Sequence, residues 1–241
     1  IHEQEILRTC FNISEDGKIM QQIVSKYTIN LDIQKCDENE IQKYEKEFVK
    51  PFDLSKLPLF RVKLLQISKE KSILLFDMHH IISDGSSMQI FVNRLVEIYN
   101  NNDIKETEIT YKDYCYWENN RLENDKLQKQ EEYWLSNFTN NEIPILSLPT
   151  DFTRPIVKSF NGNRINAELN EEKYRKIQKI CEKYNITPFM FFLSVYYILL
   201  SRYSGQEDII IGVPIANRNQ TEFQELLGAF INEMPIRIIA D

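Results

Sequence analysis

Residues 73–99, ILLFDMHHIISDGSSMQIFVNRLVEIY, decide how this chain is read. Ile73 to Ile82 is apolar except at Asp77, His79 and His80, which predicts a strand buried on both faces. Ser83, Asp84 and Gly85 break the run. Met88, Val92, Leu95 and Tyr99 then recur at helical spacing, and Asn100 to Asn102 end the helix. The result is a strand–turn–helix unit with a polar elbow and two histidines at its entrance.

Two adjacent imidazoles on an apolar strand need a reason, because a buried polar group without a partner is costly. Strand side chains alternate, so His79 and His80 are expected to face opposite ways, one towards a cleft and one into the packing. They cannot then share a metal ion. The remaining histidine, His2, brings no H-E-x-x-H motif or cysteine cluster, so a metal site is not expected. An imidazole can take up a proton near neutral pH, its ordinary pKa being about 6.5. Asp84 can orient such a site, although a helix N-cap alone also accounts for it. A satisfied core pair likewise accounts for the histidines. Ser83, Ser86 and Ser87 lie close by, but no G-x-S-x-G elbow is present and neighbours in sequence seldom form a triad.

The 241 residues suit one large domain or two small ones, and 42% hydrophobic content is core material enough to exclude disorder as the main state. A net charge of -7 argues against a general nucleic-acid surface, which needs clustered Lys and Arg. The longest mostly apolar run, Pro188 to Leu200, is too short for a bilayer span of about 20 residues, so no membrane contact is expected. It reads as a buried helix with Thr187 as N-cap and Pro188 at its first position. No signal peptide is visible. Cys10, Cys36, Cys115 and Cys181 are scattered and form no C-x-x-C pair, the usage of a reduced, cytoplasmic protein. The opening at Ile1 and the stop at Asp241, just after the apolar stretch Ile236 to Ala240, read as a piece of something longer.

Tyr27, Ile29, Leu31 and Ile33 alternate with polar residues as a half-buried strand does. Ile41, Tyr44 and Phe48 mark a helix ended by Pro51, and Phe60, Val62 and Leu64 mark another strand. Trp134, Leu135 and Phe138 close a charged helix. Leu148 to Pro155 is the best linker, with two prolines in a short stretch. Tyr174, Ile177, Cys181 and Tyr184 give a further helix, and Asp208 to Ala216 a buried strand. Helices and strands alternate throughout, so the class is α/β or α+β.

His79-His80-Ile81-Ile82-Ser83-Asp84-Gly85 matches the H-H-x-x-x-D-G signature of the chloramphenicol acetyltransferase-like acyltransferases. Within that superfamily the chain resembles the condensation domains of nonribosomal peptide synthetases. Four more segments fall in the family's order: Glu5 to Phe11 (H-E-x-L-R-T-x-F), Tyr111 to Trp117 (Y-x-D-F-A-V-W), Tyr203 to Arg218 (Y-S-G-Q-x-D-I-x-x-G-x-P-x-A-x-R) and Leu227 to Asn232 (I-G-x-F-V-N-T). Gln4 stands where the family usually has His, and Glu233 where it usually has Thr. The family's opening segment and its segments beyond Arg237 have no counterpart.

The resemblance implies a chloramphenicol acetyltransferase-like α+β sandwich of two lobes with the signature at the cleft between them. Residues 1–148 would be the N-terminal lobe without its very start, and 149–241 a linker and the beginning of the C-terminal lobe. It implies that the amine of an acceptor attacks the thioester of a donor, both carried on phosphopantetheine arms of carrier proteins. The protein itself would bind no cofactor, and an adenylation domain would stand in the same polypeptide. The signature is closer to the subtype taking an L-configured donor. His80 is then the reactive imidazole, His79 its support, and the Gly85 N–H faces the developing oxyanion. Asp84 would form a structural ion pair with Arg8, and Ser86 and Asn232 would line the substrate channel. Trp117 reads as core rather than site. Two other readings keep the motif: a free-standing acyltransferase using an acyl thioester, and a non-catalytic piece that docks carrier proteins.

Overall fold

The computed structural model describes residues 1–102, 107–123, 127–138, 142–159 and 161–240. It divides into two compact units: Ile1–Gln128 with Ile215–Asn232, and Lys129–Pro214 with Glu233–Asp241.

In the first unit a short 3-10 turn, Glu5–Arg8, leads into an antiparallel hairpin of β1 (Thr9–Ile13) and β2 (Ile19–Ile23), with Thr9 opposite Ile23. A three-stranded sheet follows in the order β3 (Asp32–Lys35), β4 (Phe60–Gln66), β5 (Ser72–Met78). β3 runs parallel to β4, which requires a crossover, and α1 (Ile41–Phe48) supplies it. β4 and β5 are antiparallel, with Arg61 opposite Asp77. The strand expected over Tyr27 to Ile33 is therefore displaced: pairing begins only at Asp32, while Ile29 packs against the core from a segment without regular structure.

The strand expected as far as Ile82 ends at Met78. Beyond it His80–Ile82 form a 3-10 turn, because the fully buried Ile82 turns the chain into the core of Ile6, Leu7, Leu59, Phe60 and Leu227. β5 is half-buried rather than enclosed on both faces. Helices α2 (Gly85–Tyr99) and α3 (Tyr111–Glu123) complete this part of the chain. Ile215–Asn232 adds Phe223, Leu226 and Phe230, which pack with Tyr114 of α3.

The second unit holds α4 (Gln128–Phe138), α5 (Glu171–Tyr184), α6 (Pro188–Ser204) and the paired strands β6 (Asp208–Ile215) and β7 (Asn232–Ile239). Thr187 caps α6 by accepting the Met190 N–H at 3.2 Å. The helix is present, but only Tyr197 and Leu200 of it are buried, against Ile209 and Ile211. Phe189, Phe192 and Ile198 stay exposed. Leu146 and Leu148 pack into this second core. Among the described residues no single helix is long and apolar enough to cross a membrane.

Candidate active site at the histidine turn

β5 delivers the chain to His79, whose N–H donates to the Leu59 carbonyl at 2.9 Å. His79 is extended (φ -66°, ψ 137°) and caps the 3-10 turn, its Nδ1 accepting the Ile81 N–H at 3.0 Å. Its carbonyl accepts from Ile82 N at 3.0 Å and Ser83 Oγ at 3.2 Å. Every polar group of this residue that the turn can reach is used. His80 is exposed on the first position of the turn. The two residues differ in burial, His79 part-buried and His80 exposed. Both lie beyond the end of β5: His79 caps the turn and His80 opens it.

Asp84 is the N-cap of α2, and its Oδ1 accepts the Ser87 N–H at 2.8 Å. The expected ion pair with Arg8 is not formed. Arg8 is committed elsewhere: its Nη1 donates to Val24 O at 2.6 Å, its Nη2 lies 3.2 Å from Glu5 Oε1, and its carbonyl accepts the Val24 N–H, so it pins the base of the β1–β2 hairpin. The cation beside Asp84 is Arg218, with Nη2 3.0 Å from Oδ1 and 3.3 Å from Oδ2. Both side chains are almost fully buried, 7% and 2% exposed, so the pair lies largely out of solvent. Burial pushes the Asp84 carboxyl up, but hydrogen bonds from Ser87 and the Arg218 charge outweigh it and hold the group below the usual carboxylate range.

Around this pair the fold has built a polar knot. Ser87 Oγ lies 2.8 Å from both Asp84 Oδ1 and the Gly228 carbonyl, either of which can take its single proton. It accepts from Gly228 N at 3.1 Å and Arg218 Nη2 at 3.0 Å. Asp84 Oδ2 accepts the Phe230 N–H at 3.1 Å. Arg218 Nη1 donates to the carbonyls of Phe223 and Leu226, at 2.6 and 2.7 Å, and its guanidinium carbon sits 4.0 Å over the Phe230 ring. Tyr111 donates to Ala229 O at 2.9 Å, and its burial raises the phenol's pKa, which suits a donor. Gln4, 7% exposed, accepts Leu227 N–H and donates to Glu225 O. One amide thus serves as donor and acceptor at once, which a neutral imidazole at that position could also do.

Asp84 has both carboxylate oxygens hydrogen-bonded inside this knot. Gly85 opens α2 with open space around it, and Ser86 is half-buried beside it. Asn232 is exposed at the start of β7. Trp117 is 39% exposed against Phe223 and Tyr114, so it is a rim residue more than a core one. The sequence assigns no role to Arg218 or Gly228, and Ser87 enters there only as a neighbour of the histidines weighed for a serine triad. Arg218 closes the fourth matched segment and Ser87 ends the polar elbow, but neither position says which partner it meets.

The chain belongs to the condensation domain family, whose sequence model matches residues 1–241. Bacitracin synthase 1 of Bacillus licheniformis is 39% identical over 237 residues, 98% of this chain and 4% of the synthase. Gramicidin S synthase 2 of Aneurinibacillus migulanus is 40% identical over 237 residues, 98% of this chain and 5% of its own. This chain therefore spans a small fraction of the relatives it matches. Two solved structures share the fold: the X-domain from teicoplanin biosynthesis (TM-score 0.86, 21% identity, 98% of this chain and 55% of that one) and the condensation domain of the monacolin K polyketide synthase (TM-score 0.84, 19% identity, 99% and 57%).

Proposed function

We propose that this chain forms amide bonds between aminoacyl or peptidyl groups held as thioesters on carrier proteins, as a condensation domain of nonribosomal peptide synthesis. The observation that carries the reading is the turn at His79–Asp84, where the fold consumes one imidazole and leaves the next exposed. The family membership and the synthases among its relatives support it.

In this reading the acceptor's amine nitrogen attacks the donor's thioester carbonyl carbon. The C–N bond forms, the C–S bond breaks, and the amine's proton goes to the departing thiolate. His80 orients the amine or relays that proton. General-base help is typically worth about 10²–10⁴-fold, and no acyl-enzyme is needed, which suits a site without a nucleophile elbow. Phosphopantetheine arms present both thioesters, so the partners are a donor and an acceptor carrier and an adenylation domain that loads them. The reaction and its protein partners belong to a cytoplasmic setting, with an L-configured donor.

The test is to mix the protein with a carrier loaded with an aminoacyl donor and another loaded with an acceptor, and to read the acceptor's intact mass. Dipeptidyl product that disappears in His80→Ala is expected. Product formed equally well by a folded His80→Ala variant would end the assignment.

A further inference from the structure

His79 is fixed from two sides. A backbone amide can only donate, so the Nδ1 that faces Ile81 N–H carries no proton, and a neutral ring then holds its proton on Nε2. Turning the ring over would put a carbon there and leave the Ile81 amide unpaired, which is unfavourable for a part-buried donor. The second constraint is Phe52, whose ring stands at 87° to the imidazole with centroids 5.9 Å apart.

Phe52 is itself held. The guanidinium carbon of Arg61 lies 3.7 Å from its ring centroid. Arg61 donates to the carbonyls of Phe48 and Lys50, at 3.2 and 2.6 Å, and lies 3.3 Å from Asp77, its neighbour across the β4–β5 ladder. Asp77, the one acid of β5, thus anchors the cation that covers the ring that meets His79.

We propose that Phe52, braced by Arg61 and Asp77, is a positioning residue that holds the His79 ring in the orientation in which Nδ1 meets the Ile81 N–H, keeping the Nε2–H tautomer, and so fixes the turn that presents His80. The inference rests on the reading of His80 as the reactive imidazole. An edge-to-face aromatic contact is directional, so an aliphatic group of similar bulk at position 52 fills the space without orienting the ring.

The experiment is a long-range ¹⁵N–¹H correlation spectrum of histidine-labelled protein, with His2→Ala and His80→Ala variants to assign the His79 signals. Wild type is expected to show His79 with Nδ1 unprotonated and Nε2 protonated. Phe52→Leu is expected to populate the second tautomer and to lower condensation turnover by roughly tenfold to a hundredfold, the scale of an ångström-sized misplacement. Phe52→Tyr keeps the ring and should restore both. If Phe52→Leu does not fold, Arg61→Met takes its place with the same expected spectrum. A protonated Nδ1 in wild type overturns the proposal. So does a folded Phe52→Leu or Arg61→Met protein with the wild-type tautomer, whatever its turnover. The spectrum needs no turnover, so failure of the positioning role shows there and failure of the His80 reading shows only in the product assay.

Discussion

Arg218 brings Nη2 to 3.0 Å from Oδ1 of Asp84 across 134 residues of sequence, and the two are buried together. Removing one member strands the other as an uncompensated charge, at a cost of about 3–5 kcal/mol. Arg218→Ala and Asp84→Ala are expected to lower the urea midpoint by corresponding amounts. A double-mutant cycle should show coupling for Asp84 with Arg218 and additivity for Asp84 with Arg8, because Arg8 bonds to Val24 and Glu5 instead. Additivity between Asp84 and Arg218 would contradict the pair.

The same pair sets an acid limit on stability. The Asp84 pKa is lower folded than unfolded, so the unfolded state binds the proton more readily as pH falls. Its contribution is complete above the unfolded carboxylate value of about 3.9 and is lost as pH drops through the folded one. Urea midpoints measured from pH 6 downward should decline in wild type, and Asp84→Asn should flatten part of that decline. An unchanged slope in the variant would show that other carboxylates carry the whole effect.

The two histidines should separate rate from stability. His80 is exposed, so His80→Ala should leave the melting temperature where it is while removing product formation. His79 caps the Ile81 amide, and losing a cap of this kind costs about 0.5–2 kcal/mol. His79→Ala should therefore lower the melting temperature as well as the rate. Equal melting curves for the two variants would count against the cap.

Gly228 cannot carry a side chain where it stands. A Cβ there would come 2.1 Å from Cδ2 of Tyr111, at a backbone φ of +156°. Overpacking in a filled core costs about 1–3 kcal/mol, and Gly228→Ala should lose at least that in a urea titration. Tyr111→Leu in the same chain should recover part of the loss, and a purely additive double variant would place the strain elsewhere.

Gln4 offers a quieter test. Its amide satisfies the Leu227 N–H and the Glu225 carbonyl together, and an unsatisfied buried group costs about 1–3 kcal/mol. Gln4→Ala should cost an amount in that range by urea denaturation, and Gln4→His should recover part of it by placing one nitrogen on each partner. A Gln4→Ala variant as stable as wild type would mean that water takes over both bonds.

Most of the secondary structure is local chemistry and was legible as such. The period of Met88, Val92, Leu95 and Tyr99 defines α2, Pro51 closes the stretch after α1, and Thr187 with Pro188 starts α6. Those signals act within a few residues, so one sequence is enough to read them. The boundary of β5 was not legible, because Ile81 and Ile82 are apolar whether they continue a strand or enter a turn. Ile82 turns inward only where Ile6, Leu59 and Leu227 wait to bury it.

The site divides in the same way. By itself the sequence determined that His79, His80 and Asp84 share one elbow, that Asp84 is placed to cap a helix, and which family's signature they spell. Only the tertiary structure decided that Arg218 and not Arg8 neutralises Asp84, that Ser87 ties α2 to Gly228, and that His79 is spent on Ile81 while His80 is exposed. A cap is set by bonds between neighbours three residues apart. An ion pair is set by which of many arginines the packed chain brings within reach, and spacing along the chain carries no record of that distance.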